Sequence, residues 1–307
     1  AMRVMPRTPA DWARTGVVLG FGLFAIAAQA LLFREFVTGL EGHDIAVGLF
    51  FAAWLLWVAL GAWLGRWVTA ASRLSLARLD ALAGVACLAY IPALILEFVL
   101  ILQVRRMAGV ESYVLLPLGP LVFWSVVVCA PVSLVTGLVF PVLCRWLEGQ
   151  TPWPVTAVYV IESVGSLIGG LGATVVLALG GSSSLVFLLL VGILGAGSLC
   201  AVLTTTPRRV PCAVLATWLL VGSCAGLALR VDRPLTLWIQ KTKWSQRMPA
   251  QAFRGSFVTA QAEYLVGAYQ GQFLVLREGG VCEALPDPEQ AGRIAAVGLC
   301  QNAEARR

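Results

Sequence analysis

Seven long apolar stretches dominate this chain and leave few folds open to it. They cover residues 16–33, 45–65, 79–102, 114–143, 155–180, 183–203 and 212–229. Each approaches or exceeds the roughly 20 residues that a helix needs to cross a bilayer. The fourth stretch contains four prolines, each of which removes a backbone donor, so we expect a kink there. The pattern predicts an all-α polytopic membrane protein with about seven transmembrane helices.

The charged residues divide the chain into a membrane part and a small polar tail. Hydrophobic residues make up 59% of the sequence and charged residues 12%, about half the charged share usual in a soluble protein. We therefore predict a transmembrane helical domain over residues 1–230, an interfacial linker over 231–255 and a small β-meander plus helix over 256–307. This α+β tail is too small for a sizeable core of its own, so we expect it to dock on the membrane domain or on another protein.

The tail has local signals for one surface helix, three strands and one terminal helix. Residues 234–244 form a short amphipathic stretch, with Lys241 and Lys243, that suits a membrane surface. The strand-like runs are 256–261, 263–269 and 272–277, separated or followed by glycine turns. Asp287 can cap a helix that begins at Pro288, and we expect that helix to reach about Ala303.

Arginine placement predicts the orientation in the membrane. The N-terminus and the second, fourth and sixth loops hold nine arginines, whereas the intervening loops hold three. We expect the protein to lie in the bacterial inner (cytoplasmic) membrane. The positive-inside rule then puts the N-terminus in the cytoplasm, and seven spans put the tail in the periplasm. The net charge of +6 is mostly loop arginine, so it does not imply nucleic-acid binding.

Five polar residues fall inside or at the end of apolar stretches and form the candidate intramembrane site: Gln29, Arg34, Glu35, Glu97 and Glu162. A charge at mid-membrane costs about 2.5–3.5 kcal/mol on insertion scales, so it usually faces a partner or a water-filled cavity. Glu97 and Glu162 either line a proton or substrate site or serve as hydrogen-bonded carboxyls that hold helices together.

Small residues at close-packing spacing occur in the second and fifth stretches. Gly61 and Gly65 form one pair, and Gly165 and Gly169 form another, which predicts close helix packing within the chain or a dimer face. Each pair follows a span that ends in Leu-Glu-Gly, at residues 40–42 for the first span and 147–149 for the fourth. A phenylalanine, Phe33 or Phe140, precedes this ending at the same spacing in both copies. Three spans separate the copies, which would give an inverted repeat of the kind found in transporters.

Metal and cofactor ligands are scarce. The chain has one histidine, His43, and no Cys-x-x-Cys, so we expect no metal, haem or other cofactor. Six of the eight cysteines lie in or near the apolar stretches and suit packing. The other two, Cys282 and Cys300, are candidates for a disulfide if the tail lies in an oxidising compartment.

Several motifs in order along the chain resemble the membrane-fused spermidine synthase-like proteins of bacteria. They are Gln29 with Phe33-Arg34-Glu35, Ala53-Trp54-Leu55 with Gly61, Pro131 with Gly137 and Phe140-Pro141, Tyr159 with Glu162, Gly165 and Gly169-Gly170, and Pro286-Asp287-Pro288-Glu289-Gln290. The resemblance implies a multi-span domain followed by the small β-domain of an aminopropyltransferase.

The resemblance also implies a Rossmann-like catalytic domain that this sequence is expected to lack. The chain stops at Arg306-Arg307, where the first strand of that domain would begin. No Gly-x-Gly-x-x-Gly follows a strand-like run. The tyrosine–glutamine pair of the family is replaced by Gln261-Ala262. These departures favour a chain without catalysis.

The leading hypothesis is a non-catalytic integral membrane subunit or scaffold of a multiprotein complex, such as a respiratory or electron-transfer assembly. Its partners would be other membrane or periplasmic subunits and the lipid bilayer. One alternative is a small-solute or proton-coupled transporter that uses Glu97 and Glu162. Another is the membrane part of an aminopropyltransferase system.

Overall fold

A computed structural model describes residues 9–40, 44–70, 76–110, 116–148, 153–203, 210–259, 262–277 and 279–301. The helices are α1 (Pro9–Gly39), α2 (Asp44–Ala70), α3 (Leu76–Ala108), α4 (Leu118–Val128), α5 (Ala130–Leu147), α6 (Pro154–Ala178), α7 (Ser183–Leu203), α8 (Val210–Ala228), α9 (Asp232–Ser245) and α10 (Pro288–Gln301). The strands are β1 (Phe253–Val258), β2 (Glu263–Tyr269), β3 (Gln272–Arg277) and β4 (Gly280–Leu285).

Within the described ranges, five helices are long and apolar enough to span a membrane. The spans lie in α1, α2, α3, α5 and α6, and a sixth is present if α8 and α9, which meet at an 85° bend, are counted as one. The described apolar part of α7, Ser183–Leu199, is shorter. The chain is therefore a mostly helical protein with five or six candidate spans against the seven predicted from the sequence.

The fourth apolar stretch breaks into two helices where the prolines predicted a kink. Helix α4 ends at Val128 and α5 begins at Ala130, with Cys129 between them. Pro131 follows the break in the first turn of α5. A proline has no N–H to continue the helical ladder, and its ring clashes with the carbonyl four residues back, so one continuous helix is disfavoured here.

Helices α2 and α5 pack through glycines at backbone distance. A Cβ atom added to Gly61 would lie closer than 3.0 Å to the carbonyl oxygen of Leu134, and one added to Gly65 would crowd that of Leu138. A step of four residues along α2 thus matches a step of four along α5, which means that the two helices run parallel. Only a residue without a side chain allows such close approach.

Helices α6 and α1 repeat the same contact. Cβ atoms on Gly165 and Gly169 would collide with the carbonyl oxygens of Leu19 and Leu23, again four residues apart on both helices. Intramolecular packing, one of the two readings of these glycines, is therefore their role in the structure.

The two glycine contacts make α5–α6 an inverted counterpart of α1–α2. The guanidinium of Arg14, near the start of α1, lies 5.6 Å from the ring centroid of Trp146, near the end of α5. Helices α1 and α5 therefore run in opposite directions, while α1 pairs with α6 and α5 with α2. This is the inverted arrangement predicted from the shared Leu-Glu-Gly endings.

The tail is a four-stranded antiparallel sheet in the order β1-β2-β3-β4, followed by α10. Three of the strands were predicted from the sequence. Strand β4 was not, because its residues include Gly, Glu and Ala, which are depleted in strands. Gln270 and Gly271 adopt positive φ at the β2–β3 turn, as their turn signal predicted. The Gln290 N–H donates to Asp287 Oδ1 at 2.9 Å, which confirms the predicted cap of α10.

The disulfide predicted in the tail is not formed. Cys282 and Cys300 are both free and exposed. Cys282 lies on β4, where its thiol instead donates to the carbonyl oxygen of Val275 at 3.3 Å on the neighbouring strand. Cys300 lies near the end of α10, a helix that is exposed along its described length.

Helix α9 carries the core of the tail, within the segment predicted as an interfacial linker. Trp244 is completely buried, packs on the inner face of the sheet and donates its indole N–H to the Pro249 carbonyl at 3.0 Å. The core around it consists of Met248, Ala252, Leu265, Leu274 and Leu276. Because α9 supplies its central residue, the sheet and α9 form one unit.

We expect Gly169→Ala to lower the free energy of unfolding by about 1–3 kcal/mol, because the added methyl group has no room against α1. Gly172→Ala on the same helix is the matched control, since nothing lies within 4 Å of its added Cβ. Thermal unfolding in detergent measures both variants. Equal unfolding temperatures for the two would contradict the packing described here.

Candidate functional site

A buried lysine joins the helix bundle to the tail. Lys243 lies in the last turn of α9, Glu35 near the end of α1, and Glu263 at the start of β2. The Lys243 Nζ atom is 2.8 Å from Glu35 Oε2 and 2.7 Å from Glu263 Oε2. The three side chains are 8%, 2% and 14% exposed. We call these three residues the ionic joint.

Polar neighbours complete the hydrogen bonding of the two carboxylates. Gln240 donates its amide to Glu263 Oε1 at 3.0 Å, and its own amide oxygen accepts a hydrogen bond from Ser256 at 2.7 Å. The Ser183 hydroxyl, at the start of α7, donates to Glu35 Oε1. The joint therefore connects α1, α7, α9 and two strands, with a polar partner for each carboxylate oxygen.

The charges of the joint stabilise each other. Burial alone would raise the pKa of Glu263, but the Lys243 ammonium and the bonds from Lys243 and Gln240 lower the pKa below its usual value. Burial alone would lower the pKa of Lys243, but the carboxylates of Glu35 and Glu263 raise that pKa. Both groups therefore stay charged at neutral pH. A buried pair of this kind adds little net stability, but losing one partner is costly because the other charge is left buried.

Further contacts fix the tail on one end of the bundle. Gln246, just after α9, donates to the backbone carbonyl of Leu102 in α3. Ser184 in α7 hydrogen-bonds to Thr236 and to the Asp232 carbonyl in α9. These contacts lie at the end of the bundle that holds the C-terminus of α1. The tail thus docks on the helical domain, one of the two outcomes expected from its size.

The joint contains one part of the predicted intramembrane site. Arg34 and Glu35 lie at it, and the Arg34 charge reaches Glu263. Gln29 is half-buried in α1, about two turns earlier. Glu97 and Glu162 are elsewhere.

Glu97 caps the helix that begins at the proline break. Its side chain is completely buried in α3, and Oε2 accepts the Val132 N–H at 2.8 Å. Val132 lies in the first turn of α5, where N–H groups have no partner within the helix. Glu97 therefore makes a hydrogen bond of the kind that the packing reading predicts.

Glu162 is half-buried in α6, and its electrostatic neighbour is Cys144 of α5. Val132 and Cys144 are twelve residues apart on α5, which is about 18 Å of helical rise. The structure therefore does not bring Glu97 and Glu162 to one site.

Lys243, Glu263 and Gln240 were missed as site residues by the sequence reasoning. Lys243 was predicted to lie on an amphipathic stretch at the membrane surface. The available signal was the scarcity of lysine, since the chain has two, Lys241 and Lys243. Their spacing of two residues puts them on different sides of a helix, and only the structure shows which one is buried.

Metal ligation has no support in the described part of the chain. Among these residues, no group of three or more His, Cys, Asp or Glu side chains could hold a metal ion. His43 lies outside the described residues.

Comparisons with known proteins found no match: no family model, no curated protein and no solved structure is similar to this chain. The geometry of its own residues is therefore the basis for assigning a function.

Lys243→Met is expected to weaken the docking of the tail by about 3–5 kcal/mol, because it removes the ammonium group that both buried carboxylates, Glu35 and Glu263, contact. Hydrogen–deuterium exchange of the β2 and β3 amides, with the protein in detergent, measures the docking. Lys241→Met is the matched control, since Lys241 is exposed on the same helix. Unchanged exchange in the Lys243 variant would show that the joint does not hold the tail.

Proposed function

We propose that this chain is a non-catalytic membrane subunit that holds its tail sheet in a fixed orientation for binding another protein. The observation that carries the proposal is the ionic joint, which fixes one face of the sheet unit against the bundle while the opposite face is largely apolar and partly exposed. Rigid presentation lowers the ordering cost of binding and so favours a stable complex.

The exposed face, here called the outer face, consists of the side chains that alternate with the buried ones. Its apolar members are Phe257, Tyr264, Val266, Ala268, Phe273, Val275 and Leu285, and the exposed Arg277 and Glu283 lie among them. Strand register places them side by side, with Phe273 opposite Leu285 and Val266 opposite Val275. Phe257 and Tyr264 stack with ring centroids 4.7 Å apart. Contiguous apolar surface on a tail is a common mark of a protein interface.

Exposed aromatic residues strengthen the assignment to a protein partner. Phe257 is 49% exposed, Phe273 45% and Leu285 52%. Phenylalanine and tyrosine are enriched at interfaces, where they supply much apolar area with few rotatable bonds. Helix α10 follows β4 directly and exposes Ile294 and Val297, so it offers a second apolar strip on the same tail.

The helical domain has apolar surface that suits lipid or neighbouring subunits. Of the 18 residues in the most apolar segment of α6, 17% are buried inside the protein, and in the corresponding segment of α2 the share is 28%. The remaining surface of these helices needs an apolar environment. This is the surface expected of an integral subunit embedded in lipid or in a larger assembly.

Phe257→Ser and Phe273→Ser are expected to weaken the complex about tenfold or more, because truncating a central interface aromatic removes much of the binding energy. The measurement is the fraction of protein in a larger complex on native gels after mild solubilisation of its own membranes. Leu229→Ser is the control, since Leu229 is 76% exposed but follows α8, away from the sheet.

A photo-crosslinking residue at position 273 should give a discrete adduct, and one at position 229 should not give the same adduct. A wild-type protein that migrates as a monomer and forms no adduct at position 273 would contradict the proposed function.

A second candidate, a small-solute transporter, is favoured by the inverted pairing of α1–α2 with α5–α6. Transporters built from inverted repeats bind their substrate near the bilayer midplane, between the two repeats. The polar group that this reading would use is Glu97, which is completely buried next to the start of α5.

Glu97→Gln separates a capping role from a transport role. Gln keeps an oxygen for the Val132 N–H, so we expect stability near that of the wild type, whereas Glu97→Leu should cost about 1–3 kcal/mol. Thermal unfolding measures this difference. In proteoliposomes with a solute panel, uptake that is present in the wild type and lost in Glu97→Gln would favour the transporter, and unchanged uptake would remove Glu97 from it.

A further inference from the structure

A cavity of about 590 Å³ opens between the end of α3 and the surface of α9. Its lining includes Gln103, Arg105 and Arg106 from α3 and Trp238, Thr242 and Gln246 from α9 and the residues after it. The volume is much larger than a water site and suits a small ligand or headgroup. The cavity lies beside the ionic joint but shares none of its three residues.

The described lining is cationic. Arg105 is 2% exposed and forms part of the wall, whereas Arg106 is exposed. No acidic side chain is among the described lining residues. The exposed Lys241 precedes Thr242 on α9 and adds a third positive charge nearby. An anion is therefore the ligand class that the cavity favours.

The ordinary explanation of two arginines at this place is incomplete. Basic residues in the last turn of a helix complement its dipole, and Arg105 and Arg106 are in the last turn of α3. Complementing the dipole of α3 does not explain why an open volume lies beside the two arginines, or why α9 crosses α3 at this point. The cavity remains because α9 crosses the end of α3 and leaves an open volume that both arginines line.

The position of the cavity indicates where its ligand comes from. It lies at the end of the candidate span Leu88–Ala108, where a spanning helix reaches the headgroup layer. Trp238, which is 53% exposed, also lines it. Tryptophan is enriched at this level of a membrane, and an arginine at this level can bind the phosphate oxygens of a lipid headgroup.

We propose that this cavity binds the phosphate of an anionic headgroup, with Arg106 as the recognising side chain and the buried Arg105 adding positive charge to the wall. Guanidinium groups bind phosphate oxygens through paired, charge-assisted hydrogen bonds. Gln103 and the indole N–H of Trp238 provide neutral donors in the same lining. The same chemistry would accept free phosphate, so the test separates the two sources.

The experiment titrates the purified full chain in detergent with phosphatidylglycerol, phosphatidylcholine or inorganic phosphate and follows bound species by native mass spectrometry. We expect phosphatidylglycerol to bind more tightly than phosphatidylcholine and to resist competition by inorganic phosphate. Arg106→Gln should weaken phosphatidylglycerol binding about fivefold. Arg66→Gln, an exposed arginine near the end of α2, is the matched control and should not.

A second variant tests the cavity itself. Ser245→Trp, at an exposed lining position, fills space and leaves every arginine in place, so it should also reduce binding while the protein keeps its unfolding temperature. Competition by millimolar inorganic phosphate would assign the site to free phosphate. Equal lipid binding by wild type, Arg106→Gln and Ser245→Trp, or an equal loss in Arg66→Gln, would overturn the proposal.

Discussion

The arrangement of the tail depends on Lys243 being held between Glu35 and Glu263. Three charges are removed from water at this joint, which is tolerable because each has partners at hydrogen-bond distance. A sheet that shifted or rotated on the bundle would leave at least one charge buried alone. The joint thus selects one orientation, and that orientation decides which face of the sheet is free and where α9 crosses α3.

In the helical domain, too, a polar group that is removed from water needs a hydrogen-bond partner, and here the groups concerned belong to the backbone. The break before Pro131 leaves the Val132 N–H without a helical partner, and Glu97 from another helix supplies one. Where backbones meet directly, at Gly137 against Val58 and Gly22 against Glu162, glycine leaves room for close contact. Buried polar groups here are therefore parts of the packing, which is why an intramembrane carboxylate by itself was a weak sign of a transport site.

The tail breaks the symmetry of the inverted repeat, because it docks on one end of the bundle. Helices α1–α2 and α5–α6 make equivalent glycine contacts, but the tail docks at the C-terminal end of α1 and not at that of α5. At the corresponding end of α5, Arg145 and Glu148 form an ion pair whose side chains are 44% and 52% exposed. At α1 the charged pair Arg34-Glu35 is built into the joint. The two ends of the bundle thus differ in chemistry, and both the outer face and the cationic cavity belong to one end.

The sequence by itself determined the apolar helices, the proline break, the positions of the close-packing glycines and most of the tail, because each depends on local periodicity, a missing donor or a missing side chain. It named Arg34 and Glu35 as polar residues of interest but could not pair Glu35 with Lys243, which lies more than 200 positions away. Nor could it tell Lys243 from Lys241, or separate Glu97 from Glu162. Only the tertiary structure decided those pairings, because burial of a charge depends on which distant element packs against it.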